Sequence, residues 1–81
     1  STQGIHTIRF NPFKGAGEGG NQSFAVAYVD EHGDGVELSS LYARDRMSVF
    51  AKPIKNHVSE FELTAEEKEA IEKARQKISN I

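Results

Sequence analysis

The chain contains no cysteine and no tryptophan among its 81 residues. Without cysteine it can form neither a disulfide bond nor a thiolate metal site, and nothing in the composition indicates an oxidising compartment. Its three histidines are scattered, so no local pair of ligands marks a zinc site. We therefore expect no bound metal and no cofactor.

The chain also lacks long apolar runs and a large excess of charge of either sign. No apolar run approaches the roughly 18 residues that suggest a membrane span, so we expect no membrane contact by this part of the chain. Ten basic and twelve acidic residues give a net charge of −2, which argues against a dedicated polyanion binder. The length fits one small domain over residues 1–81. Because the chain begins with Ser1, we expect a fragment of a longer protein or a trimmed chain.

Four segments predict β-strands, near residues 4–10, 22–29, 36–42 and 47–52. They are rich in β-branched and aromatic residues, and Gly, Asp and Asn separate them. The connections after the second and third strands are short, so these strands are antiparallel neighbours in a meander. We expect Pro53 either to end the fourth strand or to mark it as an edge strand, because proline gives the sheet no hydrogen-bond donor.

The turn chemistry also predicts the register. With Gly33 in the left-handed position of a type I turn plus bulge, Tyr28 pairs with Val36, and a two-residue corner then sets Tyr42 opposite Met47. One face carries the larger apolar side chains and is predicted to be the core face: Phe24, Val26, Tyr28, Val36, Leu38, Tyr42, Met47 and Val49. The other face carries Ala25, Ala27, Val29, Glu37, Ser39, Leu41 and Phe50.

A C-terminal helix is predicted over residues 65–79. Thr64 and Glu67 have the spacing of a capping box, in which each side chain binds the other residue's backbone amide. The helix carries a narrow apolar stripe formed by Ala70, Ile71, Ala74 and Ile78. The predicted fold class is therefore α+β: a four-stranded antiparallel β-meander with one amphipathic helix packed on its core face.

Two local patterns resemble ligand-binding motifs. Residues 15–20 match the glycine spacing G-x-G-x-x-G, but a strand rather than a helix follows, so a hairpin loop is preferred over a phosphate site. Residues 30–35 resemble the opening of a calcium loop, but its twelfth position is Leu41 instead of glutamate. Hairpin turns require the same Asp and Gly residues, so we interpret this segment as a turn.

Several stretches, taken in order, resemble a known family. They are IRFNPF (8–13), NQSFAVA (21–27), DEHGDGV (30–36), LSSL (38–41), RD (44–45), VFAKPI (49–54) and LTAEEKEAI (63–71). Together they resemble the C-terminal domain of an uncharacterised family of short bacterial proteins, a domain of unknown function. The resemblance covers nearly the whole chain and implies no assigned activity. It implies that an N-terminal hydrophobic anchor and a coiled-coil segment precede the domain, which would tether a cytoplasmic domain to a membrane.

The leading functional hypothesis is a non-enzymatic interaction module with a protein partner. Small side chains on the second sheet face leave a flat area around Leu41 and Phe50, and flat apolar areas often mark contact sites. We predict that these two residues anchor the partner and that the rim consists of Arg44, Arg46 and Lys52. The alternative is that another segment, such as Phe13 or Phe61, covers the area.

Three further interpretations stay open. Phe50 with nearby basic residues would suit single-stranded nucleic acid, although the net charge and the absence of tryptophan oppose this. These basic residues are Arg9, Lys14, Arg44, Arg46, Lys52, Lys55 and His57. An enzyme would have to use His6, His57, Asp45 or Ser40, none of which has a spaced partner, so we expect no catalytic residue. The third is an engineered binding scaffold derived from such a domain.

Overall fold

The computed structural model describes residues 3–11, 23–43 and 46–79. Within these residues a single sheet holds five antiparallel strands in sequence order: β1 (Gln3–Phe10), β2 (Ser23–Asp30), β3 (Gly35–Ala43), β4 (Arg46–Lys55) and β5 (Val58–Ser59). Helix α1 (Ala65–Ser79) follows and packs mainly against β1 and β2. The α+β class and the C-terminal helix are confirmed, but the predicted number of four strands is wrong.

The fifth strand forms because β4 does not end at Pro53. β4 continues to Lys55, and the chain then turns through Asn56 and His57, whose φ angles are 52° and 68°. Two positive φ angles in a two-residue loop are typical of a type I′ hairpin turn, which returns the chain as β5. Pro53 is tolerated because β5 pairs only with Ile54 and Lys55, so the proline lies on an edge without a described partner strand.

The predicted register of the β2–β3 and β3–β4 hairpins is confirmed. Tyr28 pairs with Val36, and Tyr42 pairs with Met47. Gly33 has a φ of 86°, the left-handed conformation that the predicted turn required. The corner residues at 44–45 and the glycine-rich segment with Phe13 lie outside the described residues.

The turn between β2 and β3 is held by the carboxylate of Asp30. Asp30 Oδ1 accepts hydrogen bonds from the backbone amides of His32, at 2.9 Å, and Asp34, at 3.0 Å. The bond from the Asp34 amide is the main reason that the pKa of Asp30 lies below its usual value. The acidic residues of this segment therefore act as turn-forming residues.

The prediction of which sheet face forms the core is wrong. Helix α1 lies on the opposite face, where Ala25, Ala27 and Val29 are fully buried. The buried core consists of these three residues with Ile54, Ala70, Ile71 and Ala74, and Ile8, Phe10, Leu63 and Ile78 pack around it. The predicted helix stripe thus does face the sheet, but it packs on the face with small residues.

Close approach between helix and sheet explains this choice of face. A Cβ atom added to Gly4 of β1 would overlap the carbonyl oxygen of Ala74 in α1, so the two backbones touch there. Ala70 and Ala74 on the helix meet alanines of the sheet, and no large side chain fits between them. Small residues on both elements allow a dense contact that the bulkier face would not permit.

We call the covered side of the sheet the helix face and the other side the open face. Alternation along β1 to β4 places nine large apolar side chains on the open face: Ile5, Phe24, Val26, Tyr28, Val36, Leu38, Tyr42, Met47 and Val49. All of them except Ile5 belong to the set predicted as core. Ile5, Val36, Leu38, Met47 and Val49 are exposed, and the remaining four are half-buried.

Candidate functional site

A pocket of about 600 Å³ lies on the helix face, beside the start of α1. It exists because α1 covers β1 and β2 but makes few contacts with β3, so the outer part of the sheet is only partly covered. Phe10, Leu41 and Phe50 provide apolar surface in this pocket, and Ser39, Lys52 and Glu67 provide polar groups. The pocket therefore combines an apolar cleft with a small set of converging polar atoms, as many binding sites do.

The structure brings three of the predicted partner-binding residues into this pocket: Leu41, Phe50 and Lys52. Leu41 is half-buried, Phe50 is 45% exposed, and Lys52 Nζ lies 5.9 Å from the centre of the Phe50 ring. Arg46 is exposed at the start of β4, and Arg44 lies outside the described residues. The sequence predicted that Phe50 lies on the sheet face away from the core, but it lies on the same face as the helix. Its role in binding stays a prediction.

A buried polar cluster adjoins the pocket. Glu37 and Ser39 project from β3 onto the helix face, Lys52 pairs with Glu37 across the strands, and Glu67 comes from the first turn of α1. Ser39 Oγ lies 2.7 Å from Glu67 Oε2 and also contacts Glu37 Oε2. Lys52 Nζ lies 2.8 Å from Glu67 Oε1. The Ser39 hydroxyl therefore bridges the carboxyl groups of Glu37 and Glu67, and the Lys52 ammonium group neutralises Glu67.

The position of the protons in this cluster follows from the hydroxyl group. A hydroxyl has a single hydrogen, so Ser39 can donate to only one of the two carboxyl groups. The other carboxyl must carry a proton and donate it to Ser39 Oγ. Burial raises the pKa of Glu37 to about 7, and the charge of Glu67 adds to the rise. Glu37 is thus the protonated donor, and Ser39 donates in turn to ionised Glu67.

Glu67 remains ionised although it is buried. Burial alone would raise the pKa of Glu67, but hydrogen bonds from the Lys52 ammonium, the Thr64 amide and Ser39 outweigh burial and hold that pKa well below its usual value. The bond from the Thr64 amide to Glu67 Oε1 measures 2.8 Å, and Thr64 Oγ1 accepts the Glu67 amide at 3.2 Å. The predicted capping box is confirmed, and the same carboxylate ties the start of α1 to β4.

The chemical capacity of this cluster is limited. An ionised glutamate with a lowered pKa is a weak general base, so Glu67 is poorly suited to activate the Ser39 hydroxyl. Glu37 has a pKa suited to proton transfer near neutrality but is fully inaccessible to solvent. Lys52 Nζ also donates to the carbonyl oxygen of Glu62 at 2.9 Å. These contacts favour a cluster that fixes the helix on the sheet.

The residues considered for catalysis do not form a constellation. His6 lies on the helix face of β1, Ser40 lies on the open face of β3, and His57 lies in the β4–β5 turn. Asp45 is outside the described residues. His6, His57 and Ser40 therefore occupy three separate places in the fold.

Metal-binding clusters and membrane-spanning helices are both missing from the described part of the chain. No group of three or more His, Cys, Asp or Glu side chains there is arranged to hold a metal ion. No described helix has both the length and the apolar character that a membrane span requires.

Sequence reasoning missed the buried cluster, although one signal was available. The predicted register already placed Glu37 opposite Lys52, on the face that carries Ala25 and Ala27. A charged cross-strand pair on a face rich in small residues is a signal for a buried ion pair. The partner Glu67 was recognised only for its capping role, because it lies 28 residues from Ser39 along the chain.

Comparison with known proteins gives a family but no function. No curated protein and no solved structure matches the chain significantly. A family model described as a protein of unknown function (DUF4446) matches residues 1–75, which is nearly the whole chain. The resemblance to an uncharacterised family is thereby confirmed. The chain belongs to the DUF4446 family of proteins of unknown function.

Proposed function

We propose that this domain is a non-enzymatic interaction module that binds a protein partner through its open face. The observation that carries this proposal is the exposure of large apolar side chains on β3 and on the outer strand β4 of that face. Met47 is 60% exposed, Val49 is 59% exposed and Leu38 is 38% exposed, on two neighbouring strands. Contiguous apolar patches on a sheet surface often serve protein contacts, because their burial removes apolar area from water.

The charge distribution on the open face supports a protein partner. At the described open-face positions of β1 to β4, charged side chains occur only near strand ends, at Arg9, Asp30 and Lys55. An interface core is typically depleted of charge and rich in aromatic residues and methionine, whereas its rim is polar. The open face has this arrangement, with Tyr28, Tyr42 and Met47 among its members.

The pocket on the helix face is a second, smaller candidate contact of the same module. Leu41 and Phe50 would anchor one or two partner side chains there, with Lys52 at the rim. Arg46 lies on the same face, at the start of β4. The Lys52 ammonium group already binds Glu67 and the Glu62 carbonyl oxygen, so its charge is paired within the domain. For this reason we assign the main contact to the open face.

Single-stranded nucleic acid is the competing occupant of the open face. Half-buried Phe24, Tyr28 and Tyr42 offer rings on which bases stack in other proteins. Such proteins also need a basic groove along the backbone of the strand, and the alternation along β4 places both Arg46 and Lys52 on the helix face. The distribution of charge therefore favours a protein surface.

The non-enzymatic part of the proposal rests on the buried cluster. Its one perturbed group with a pKa near neutrality, Glu37, is enclosed by the sheet and the helix, so a substrate could not reach it. We propose a structural role for Glu37, Ser39 and Glu67.

We also propose that the full-length protein carries an N-terminal hydrophobic anchor and a coiled-coil segment, which would hold this domain at the cytoplasmic side of a membrane. The support for this is the family resemblance alone. Fractionation of the full-length protein tests it: recovery in the membrane fraction, released by detergent but not by salt, is expected. Recovery in the soluble fraction would contradict the anchor.

Binding by an immobilised domain tests the interaction module. Wild type, Val49→Lys on the open face and Ser48→Lys on the helix face are each exposed to extract proteins, to the purified domain itself and to single-stranded oligonucleotides. We expect protein binding by wild type and Ser48→Lys that persists at high salt, and its loss in Val49→Lys. Oligonucleotide binding that falls steeply with salt would favour the competing function. Protein binding that is equal in all three variants, or absent from all three, would refute the proposal.

A further inference from the structure

We infer that the partner of the open face is a second copy of this chain, so that two domains associate with their sheets face to face and their helices outward. This inference rests on the proposed function of the open face and names its occupant. Three properties of the described residues support it: the side-chain relief of the face, its lack of central charge, and its area.

The shape of the face suits another sheet. Two β-sheets pack about 10 Å apart when the side chains of both inner faces interdigitate. On the open face, the large side chains of Leu38 and Val49 lie beside the small, exposed Ala51. Ridges and depressions of this size can be filled by the same pattern in a second copy, because a two-fold interface pairs each patch with itself.

The charge of the face does not select a different partner. Uncharged central positions cause no repulsion between identical faces, whereas a patch of one sign would prevent self-association. Near the margin of the face, Arg9 and Lys55 are basic and Asp30 is acidic. A margin with both signs is compatible with an identical margin on the other copy.

The area is at the lower limit of what a specific dimer needs. Four strands at about 4.8 Å spacing and about seven residues at about 3.3 Å each span roughly 19 Å by 23 Å, or about 440 Å² of plane per copy. Side-chain relief raises the accessible area, so two copies bury on the order of 1,000 Å², near the minimum for a specific interface. We therefore expect a weak dimer with a micromolar dissociation constant.

Sedimentation velocity from low micromolar to millimolar concentration tests the dimer. Wild type is compared with Val49→Lys, with Met47→Lys as a second open-face variant, and with Ser48→Lys, which adds the same charge to the opposite side of β4. Circular dichroism establishes that each variant is folded. We expect wild type and Ser48→Lys to shift with concentration from the 9.0 kDa monomer toward twice that mass. Both open-face variants should weaken the dimer by about tenfold or more.

The outcomes separate this inference from the proposed function. Wild type that stays monomeric at millimolar concentration overturns the dimer, and so does a dimer that Ser48→Lys weakens as much as the open-face variants do. If the monomeric domain still retains extract proteins through Val49, the interaction module stands and only its occupant is wrong. If the domain binds neither a second copy of itself nor another protein, both proposals fail.

Discussion

Lys52 Nζ lies 2.8 Å from Glu67 Oε1, in a pair where the lysine side chain is 17% exposed and the glutamate side chain 3% exposed. The pair joins β4 to the first turn of α1. Since Glu67 also caps the helix, one carboxylate carries both the local stability of the helix and its attachment to the sheet.

Removal of the lysine charge tests this attachment. Lys52→Met leaves Glu67 ionised and buried without its cation, and loss of one member of a buried pair costs roughly 3–5 kcal/mol. Because Lys52 is partly exposed, we expect a loss of about 2–3 kcal/mol in the free energy of unfolding, measured by urea denaturation. Lys55→Met, an exposed change on the same strand, is the control and should cost less than about 0.5 kcal/mol. Similar losses in both variants would mean that the pair contributes little.

Glu37 should make stability depend on pH. Its pKa is raised from 4.5 to about 7 in the folded protein, so between these values the folded state keeps a proton that the unfolded state has released. Rising pH therefore favours unfolding across this window, by up to about 1.4 kcal/mol for each unit of pKa difference. Above pH 7 the contribution is lost.

Glu37→Gln isolates this effect, since glutamine has similar shape but does not titrate. We expect the wild-type free energy of unfolding to fall from pH 4.5 to pH 7 relative to that of Glu37→Gln. Glu69→Gln, on the exposed side of α1, should parallel wild type. A Glu37→Gln curve parallel to wild type would place the proton on another group.

Two substitutions decide which sheet face is the core. Ala27→Leu adds volume to a fully buried position, where overpacking typically costs about 1–3 kcal/mol. Leu38→Ala removes volume from a position that is 38% exposed, so we expect a cost of about 1 kcal/mol or less, below the usual range for buried leucine. Denaturant melts should give the larger loss for Ala27→Leu. A larger loss for Leu38→Ala than for Ala27→Leu would support the core face that the sequence predicted.

The capping box predicts the effect of Thr64→Ala. Loss of the Thr64 hydroxyl leaves the Glu67 amide without its acceptor, and such changes cost about 1 kcal/mol. Ser59→Ala is the control, because Ser59 Oγ accepts the Phe61 amide in the segment before the helix. A greater loss for Ser59→Ala in thermal or urea melts would mean that the helix begins earlier than Ala65.

Local chemistry made the strand register and the helix predictable. Gly33 permits a left-handed turn, and the period-two pattern on both sides of it allows one pairing of β2 with β3. Thr64 and Glu67 mark the helix start through contacts within one turn. The β4–β5 hairpin was less visible, because Asn56-His57 adopts a type I′ conformation without glycine.

The core face could not be predicted from side-chain size. Both faces of β2 are apolar, so the larger residues seemed to form the core. The decisive property was the fit between two surfaces built of small residues. Ala70 and Ala74 of α1 approach the sheet at Gly4 and at the alanines of β2. That fit involves residues about 40 to 70 positions apart along the chain. Separation along the chain also concealed the contact of Glu67 with Ser39.

Oxidation of Met47 tests most directly whether the open face is exposed on the monomer and covered by docking. Met47 is the only methionine of the chain and lies on that face near the start of the outer strand β4, 60% exposed. Dilute peroxide converts an accessible methionine to the sulfoxide, and mass spectrometry gives the rate. We expect rapid oxidation at low protein concentration, with protection at high concentration that Val49→Lys abolishes and Ser48→Lys preserves. Slow oxidation of the dilute wild-type domain, or a rate that does not change with concentration, would contradict an exposed face that a second copy covers.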